Sequence, residues 1–153
     1  MLVYFAAPLF CQAERDFNLK LTKKLEENGF SVFLPQRDGV ELSEDFVKDK
    51  SEKEICTEIF NIDRRMILEA DIVLFILDGR VPDEGLGVEL GIAYENKFLR
   101  GREKLLIGYS TDMRVFADIF KLNAMLFGAL DDLVSHDKDL LEKVKAFRKV
   151  QKP

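Results

Sequence analysis

The sequence contains no tryptophan, one histidine, two cysteines and four prolines. A single histidine, His136, makes a histidine-based metal site or a histidine-driven triad hard to assemble. Two cysteines, Cys11 and Cys56, cannot form the disulfide framework of a small secreted domain. They fit reduced thiols in a cytoplasmic protein. Positive charge is short as well: 23 Lys+Arg stand against 28 Asp+Glu, a formal net charge of −5, with no basic run. Nucleic-acid affinity rests largely on phosphate contacts, so nucleic acid is not an expected partner. A basic amphipathic stretch and a run of about 18 apolar residues are both missing, so no membrane association is expected either.

What remains is a chain of 153 residues, 47% hydrophobic, long enough for one domain spanning 1–153 with a substantial core. Leu2 to Phe10 is apolar but lacks a basic start and runs straight into Glu14, Arg15 and Asp16. It reads as a buried first strand rather than a signal peptide. Strand patterns are expected at Leu2–Ala6, Ser31–Leu34, Ile72–Leu77 and Leu105–Tyr109. Helical patterns are expected at Ala13–Asn28, Ser51–Ala70, Leu86–Leu99 and Asp137–Val150. Asn28-Gly29 stops the first helix, and Ser51 with Glu54 forms a capping box at the start of the second. Gln36–Lys50 reads as a loop with a short helical turn, and Ser110–Ala129 as a loop with one or two short helices. Alternating strands and helices imply an α/β fold: a doubly wound, mostly parallel sheet of about five strands flanked by helices, of flavodoxin or Rossmann type. Such sheets bind ligands at the carboxyl ends of their strands.

The most unusual segment, Asp83-Glu84-Gly85-Leu86-Gly87-Val88-Glu89-Leu90-Gly91, follows a buried strand and opens a helix. Its glycines are spaced G-x-G-x-x-x-G, one residue too long for a dinucleotide loop, and its three carboxylates would repel a pyrophosphate. No cofactor is expected. In the first turn or so of the helix, Glu89 would be favoured as a carboxylate by the helix dipole, as a nucleophile requires. An acid there also serves the dipole alone. Asp63 falls on the inner face of its helix with Ile59, Met66 and Ile67, while Arg64 and Arg65 point elsewhere. Burial would raise its pKa and suit it to proton transfer, unless it caps a neighbouring loop. The Tyr4 hydroxyl is placed to orient a carboxylate or simply to reach solvent. Cys11 and Cys56 read as inert, and His136 as a surface or capping residue. Several carboxylates, a tyrosine and no metal ligands together suit glycosyl transfer.

These residues carry a family resemblance. Tyr4-Phe5-Ala6-Ala7-Pro8-Leu9-Phe10 resembles the opening Y-x-A-G-P-L-F of the nucleoside 2-deoxyribosyltransferase family, with Ala7 where glycine is usual. Ala13-Glu14-Arg15, Phe17-Asn18 and Phe33-Leu34-Pro35-Gln36-Arg37-Asp38 are similar to family segments too. So are Asp63 ahead of Asp71, the Asp83/Glu89 pair, and Asn123-Ala124-Met125, which resembles an N-x-M segment donated by a neighbouring subunit. The resemblance implies base exchange on 2′-deoxynucleosides with free nucleobases. In that reading Glu89 is the nucleophile, Tyr4 holds it, and Asp63 trades a proton with the base. Asp83 and the partner's Asn123 and Met125 would bind the sugar. Gln36, Asp38 and Phe10 would contact the substrate, and a homo-oligomer with shared sites follows. The runner-up is a 2′-deoxynucleoside 5′-monophosphate N-glycosidase, which tends to have serine where Asp83 stands. A non-catalytic nucleoside-binding module is a third reading.

Overall fold

A computed structural model of the chain describes residues 1–79, 81–99, 101, 103–112 and 122–151. Five strands form one parallel sheet: β1 (Leu2–Ala6), β2 (Ser31–Phe33), β3 (Ile72–Ile76), β4 (Leu105–Tyr109) and β5 (Asp132–Val134), in the order β2-β1-β3-β4-β5. The central strands are buried on both faces, as continuous apolar runs such as Ile72–Ile76 require.

Alternation along the strands sorts their side chains into two layers. Val3, Phe5, Ile72, Leu74, Ile76, Ile107 and Tyr109 share one core with α1 (Gln12–Glu27) and α7 (Asp137–Val150), through Leu21, Leu25, Leu140 and Val144. Tyr4, Ala6, Val73, Phe75 and Leu106 face the other layer. That layer is built from α4 (Glu52–Glu69) and α5 (Glu84–Leu99), with Ile67, Leu86, Leu90 and Ala93 at its centre. Between the layers' elements lie the four-residue helices α2 (Pro35–Asp38) and α3 (Glu44–Val47), and α6 (Ala124–Ala129) packs beside α5.

The strand ends follow local chemistry. Gly29 adopts φ +79° just past α1, and its amide and that of Phe30 satisfy the carbonyls of Glu26 and Leu25. The Ser51 hydroxyl caps α4 by accepting from the Glu54 amide, and Glu54 accepts from the Ser51 amide at 2.8 Å. Three features differ from the expectation drawn from the sequence. The 36–50 segment holds two short helices rather than one turn. The edge strand β5 is only three residues long and opens on Asp132, too short for an alternation to register. And α5 begins at Glu84, two residues earlier than its apolar pattern. The remaining expectation, short helices within Ser110–Ala129, is met by α6, while residues 113–121 lie outside the described residues. No helix among the described residues is long and apolar enough to cross a membrane.

The strand order reverses between β1 and β3. Their carboxyl ends, at Ala6 and Ile76, therefore flank the crevice where doubly wound sheets hold ligands.

Candidate active site

Tyr4 is the fourth residue of the chain and fully buried, and strand alternation turns it toward α4 and α5. Its ring stacks on Phe33 of the neighbouring strand, with centroids 5.8 Å apart and planes 14° from parallel. A buried phenol hydroxyl needs an acceptor. It finds one in Glu89, donating to Oε1 at 2.6 Å across 85 residues of sequence. The other oxygen of Glu89 makes no hydrogen bond to a described group and is free to act.

Asp63 approaches the same hydroxyl from α4. Burial pushes its carboxyl up to about 6, and the neighbouring Tyr4 hydroxyl works against that shift. Burial likewise pushes Glu89 up to about 7. The Tyr4 hydrogen bond opposes this shift, and the charges of Asp63 and Asp83 add to it. Burial above all, and then the charges of Glu89 and Asp63, push the Tyr4 hydroxyl far above the usual phenol range. It therefore remains a donor at any working pH.

Glu89 is the sixth residue of α5, in its second turn rather than its first. The dipole effect fades within the first turn, so the helix does not hold Glu89 ionised as its sequence position suggests. Desolvation and like charge win. Asp83 occupies the N-terminal approach to the helix and caps it, with Oδ1 accepting from the Gly85 amide at 2.9 Å. A Cβ on residue 85 would stand 2.9 Å from that oxygen, so any other residue there would push the Asp83 cap aside.

Asp63 and Glu89 open into a cleft of about 330 Å³ between α4 and α5. Cys56, Ile59, Phe60, Val88 and Ile92 make its apolar walls. Apolar walls with a few convergent polar groups are the usual composition of a small-molecule site. Arg64 also lines this cleft. The helical wheel alone turned it elsewhere, but its long side chain reaches the groove from the next position around α4. Cys56, set aside as inert, lies one turn before Phe60 on the same face.

The remaining residues singled out from the sequence are distributed around this centre. The Gln36 amide is engaged at each end: Oε1 accepts from Asn18 at 2.9 Å and Nε2 donates to the Arg15 carbonyl at 3.0 Å. Asp38 accepts from the Leu34 amide at 2.8 Å and pairs with Arg37. Burial works against its charge, but Arg37 and the amide prevail and hold it below the usual carboxylate range. Phe10 stands out from its loop, 75% exposed. Asn123 caps α6 by accepting from the Met125 amide at 2.8 Å, and Met125 is 82% exposed. Met125 lines a groove on the far flank of α5 with Leu90 and Tyr94. The structure thus brings Tyr4, Asp63 and Glu89 together with Asp83 nearby, and keeps Met125 away from the same chain's cleft. Tyr109, on the opposite face of the sheet, donates to Asp137 at 2.6 Å. His136 is the N-cap position of α7, without a side-chain cap bond.

A tyrosine-held glutamate with a second carboxyl beside it has the parts that glycosyl transfer needs. Comparison with known proteins narrows the class. The sequence model of the nucleoside 2-deoxyribosyltransferase family matches residues 3–144. The chain belongs to the nucleoside 2-deoxyribosyltransferase family. Among solved structures, a 2-deoxyribosyltransferase from the psychrotolerant bacterium Bacillus psychrosaccharolyticus is similar over 92% of this chain and 90% of its own, with 25% identity and a TM-score of 0.73. A conserved protein from Enterococcus faecalis V583 shares the fold at 24% identity and a TM-score of 0.74, covering 95% of this chain and 98% of its own. A 2-desoxiribosyltransferase from Leishmania mexicana shares it at 18% identity and a TM-score of 0.63, covering 94% and 97%. Comparison with curated proteins gives no match.

The raised Glu89 pKa carries a stability cost with a definite sign. The folded state holds the Glu89 proton up to about pH 7, whereas the unfolded chain releases it near the ordinary value of 4.5. Stability therefore falls as pH rises from 4.5 to 7, by up to about 3 kcal/mol. Glu89→Gln keeps an acceptor for Tyr4 and cannot ionise. It is expected to stabilise the protein by about 1–3 kcal/mol at pH 8 and to change little at pH 4. Urea unfolding at the two pH values checks this, and equal shifts at both would contradict it.

Proposed function

We propose that the protein is a nucleoside 2-deoxyribosyltransferase that exchanges the base of 2′-deoxynucleosides through a covalent deoxyribosyl-Glu89 ester, with net retention of configuration. The observation that carries the reading is the Tyr4–Glu89 hydrogen bond of 2.6 Å, with the raised carboxyl of Asp63 beside it. Tyr4 fixes one oxygen of Glu89 and leaves the other to attack C1′. As the Glu89–C1′ bond forms, the C1′–N bond breaks and the departing base takes a proton from Asp63. A second base then gives its proton to Asp63 and attacks C1′ from the face the first one left, freeing Glu89. Two inversions give retention. Lacking a 2′-hydroxyl, the sugar reaches the oxocarbenium-like transition state readily, and the chemistry requires no cofactor.

Asp83 adds negative charge on the sugar side of Glu89, where sugar hydroxyls are good partners and a phosphate dianion is not. That favours nucleosides over nucleoside monophosphates, and so transfer over the phosphate-dependent N-glycosidase. The Asn123 side-chain amide and the exposed side chain of Met125 are offered to a neighbouring subunit's cleft, so a homo-oligomer with shared sites belongs to this reading. A role in nucleoside salvage in the cytoplasm accords with it.

Incubation with deoxyinosine or thymidine plus free adenine is expected to yield deoxyadenosine by chromatography. Glu89→Ala should lower the rate at least about a thousandfold with substrate binding largely kept. Base released only from deoxynucleoside monophosphates would instead establish the hydrolase. Ligand binding without turnover in the unaltered protein would establish the binding module.

Subunit mixing tests the shared site. Asn123→Ala and Glu89→Ala, each weak alone, are expected to regain part of the activity when dissociated and reassembled together. Full activity in a protein that light scattering finds monomeric would contradict sharing.

A further inference from the structure

Helix α5 carries glycines at 87 and 91 in its interior. Glycine weakens a helix relative to alanine, so each calls for a reason. The described part of the chain supplies none. A Cβ at Gly91 would meet nothing within 4 Å, and one at Gly87 would meet only the tip of Leu126 at 4.0 Å. Spaced four apart, the exposed residues Gly87, Gly91 and Glu95 form a low ridge on the outer face of α5.

That ridge separates two grooves. On one side, a groove of about 480 Å³ between α4 and α5 continues from the Asp63–Glu89 cleft, past Val88 and Ile92, to Leu99. On the other, a groove of about 540 Å³ between α5 and α6 is lined by Met125. Gly87, Gly91 and Glu95 border both. The first groove also holds Asn96, 5% exposed, whose Oδ1 has no hydrogen-bond partner among the described residues. A buried amide oxygen costs stability until a donor reaches it. A small ligand fills one groove; a protein surface covers both and the ridge between them. A ridge without side chains lets another helix approach closely, and Val88, Leu99 and Met125 are exposed apolar groups around it.

Symmetry fixes how a second copy can lie there. A two-fold axis relating two molecules across one face lies in the plane of that face. If the axis runs across α5, the two helices pack antiparallel and each flank meets its own copy. If it runs nearly along α5, they pack parallel and the flanks change places. The cleft side of one chain then faces the α6 side of the other.

We propose that α5 packs parallel against α5 of a second copy of the chain, crossing at Gly87 and Gly91. The crossing brings the partner's Asn123 and Met125 to the Asp63–Glu89 cleft. The orientation rests on the transferase reading above, in which those residues are donated between chains. Gly87, Gly91 and Glu95 lie on an i, i+4 row, and two such rows interlock at about 50°. That angle carries the two Glu95 carboxylates apart beyond the crossing.

The test uses the full-length protein. Gly91→Leu adds a side chain where its own chain leaves open space, so circular dichroism should match that of the unaltered protein. Its dimer dissociation constant by analytical ultracentrifugation should rise at least a hundredfold. Base exchange by the resulting monomer should fall at least tenfold. Disulfide cross-linking reads the orientation, in a background of Cys11→Ser and Cys56→Ser. A Val88→Cys chain mixed with a Met125→Cys chain is expected to give a mixed disulfide on oxidation, and Met125→Cys alone very little. Cross-linking chiefly between two Met125→Cys chains would put like flanks together and overturn the parallel crossing. These cross-links leave the glycines unaltered and decide the proposal if Gly91→Leu does not fold. Undiminished association of Gly91→Leu would overturn the surface while base exchange by the unaltered protein still stood. Absence of exchange in the unaltered protein would overturn the transferase reading, and association and cross-links would still decide the crossing.

Discussion

The hydrogen bond from Tyr4 to Glu89 is the constraint around which the rest of this molecule is arranged. A phenol in the middle of the first strand is buried by the same alternation that buries Ala6 beyond it. Once there, its hydroxyl must be satisfied. The acceptor is a carboxylate from a helix 85 residues further on, which is thereby drawn out of water. That carboxylate then costs stability, because desolvation and two neighbouring acids push its pKa to about 7. Leucine and phenylalanine at these positions would give a more stable core. Keeping the polar pair gives up stability to hold one oxygen of Glu89 in a fixed orientation, a trade that proteins make where function requires it.

The acids around the pair fit one another. Burial holds both Asp63 and Glu89 above the ordinary carboxylate range, and the charge of Asp63 adds to the shift at Glu89. A reaction in which one group attacks as an anion while the other hands a proton to the leaving base needs two carboxyl groups of this kind side by side. The charge of Asp83 adds to the shift at Glu89. The walls of Ile59, Phe60, Val88 and Ile92 supply low polarity, which makes each of these charges count for more.

Much of this was legible in the sequence. The sheet was, because Ile72–Ile76 and Leu105–Tyr109 are apolar throughout, a pattern that only a strand covered on both faces can use. The association of Asp63 with the interior was also legible, since the period of α4 places it among Ile59, Met66 and Ile67. What was hidden depended on information that periodicity does not carry. The start of α5 lay behind polar residues, so Glu89 read as a first-turn acid under the dipole instead of a desolvated one beyond it. Arg64 turned away on the helical wheel, but a long side chain is not confined to the direction of its Cβ. Gln36 and Asn18 were visible only as parts of a motif. Their mutual bond spans two elements that no local pattern connects. Strand β5 is short and polar at its first residue, and its place in the sheet comes from pairing with β4.

The most direct test of Glu89 as the nucleophile is intact-mass and peptide analysis of the protein mixed with a 2′-deoxynucleoside without acceptor and quenched in acid. The expected result is one added deoxyribosyl group, confined to the peptide containing Glu89 and lost when a free base is supplied before quenching. Unmodified protein under conditions where base exchange runs at full rate would contradict it, and would require direct displacement with Glu89 acting only through its charge.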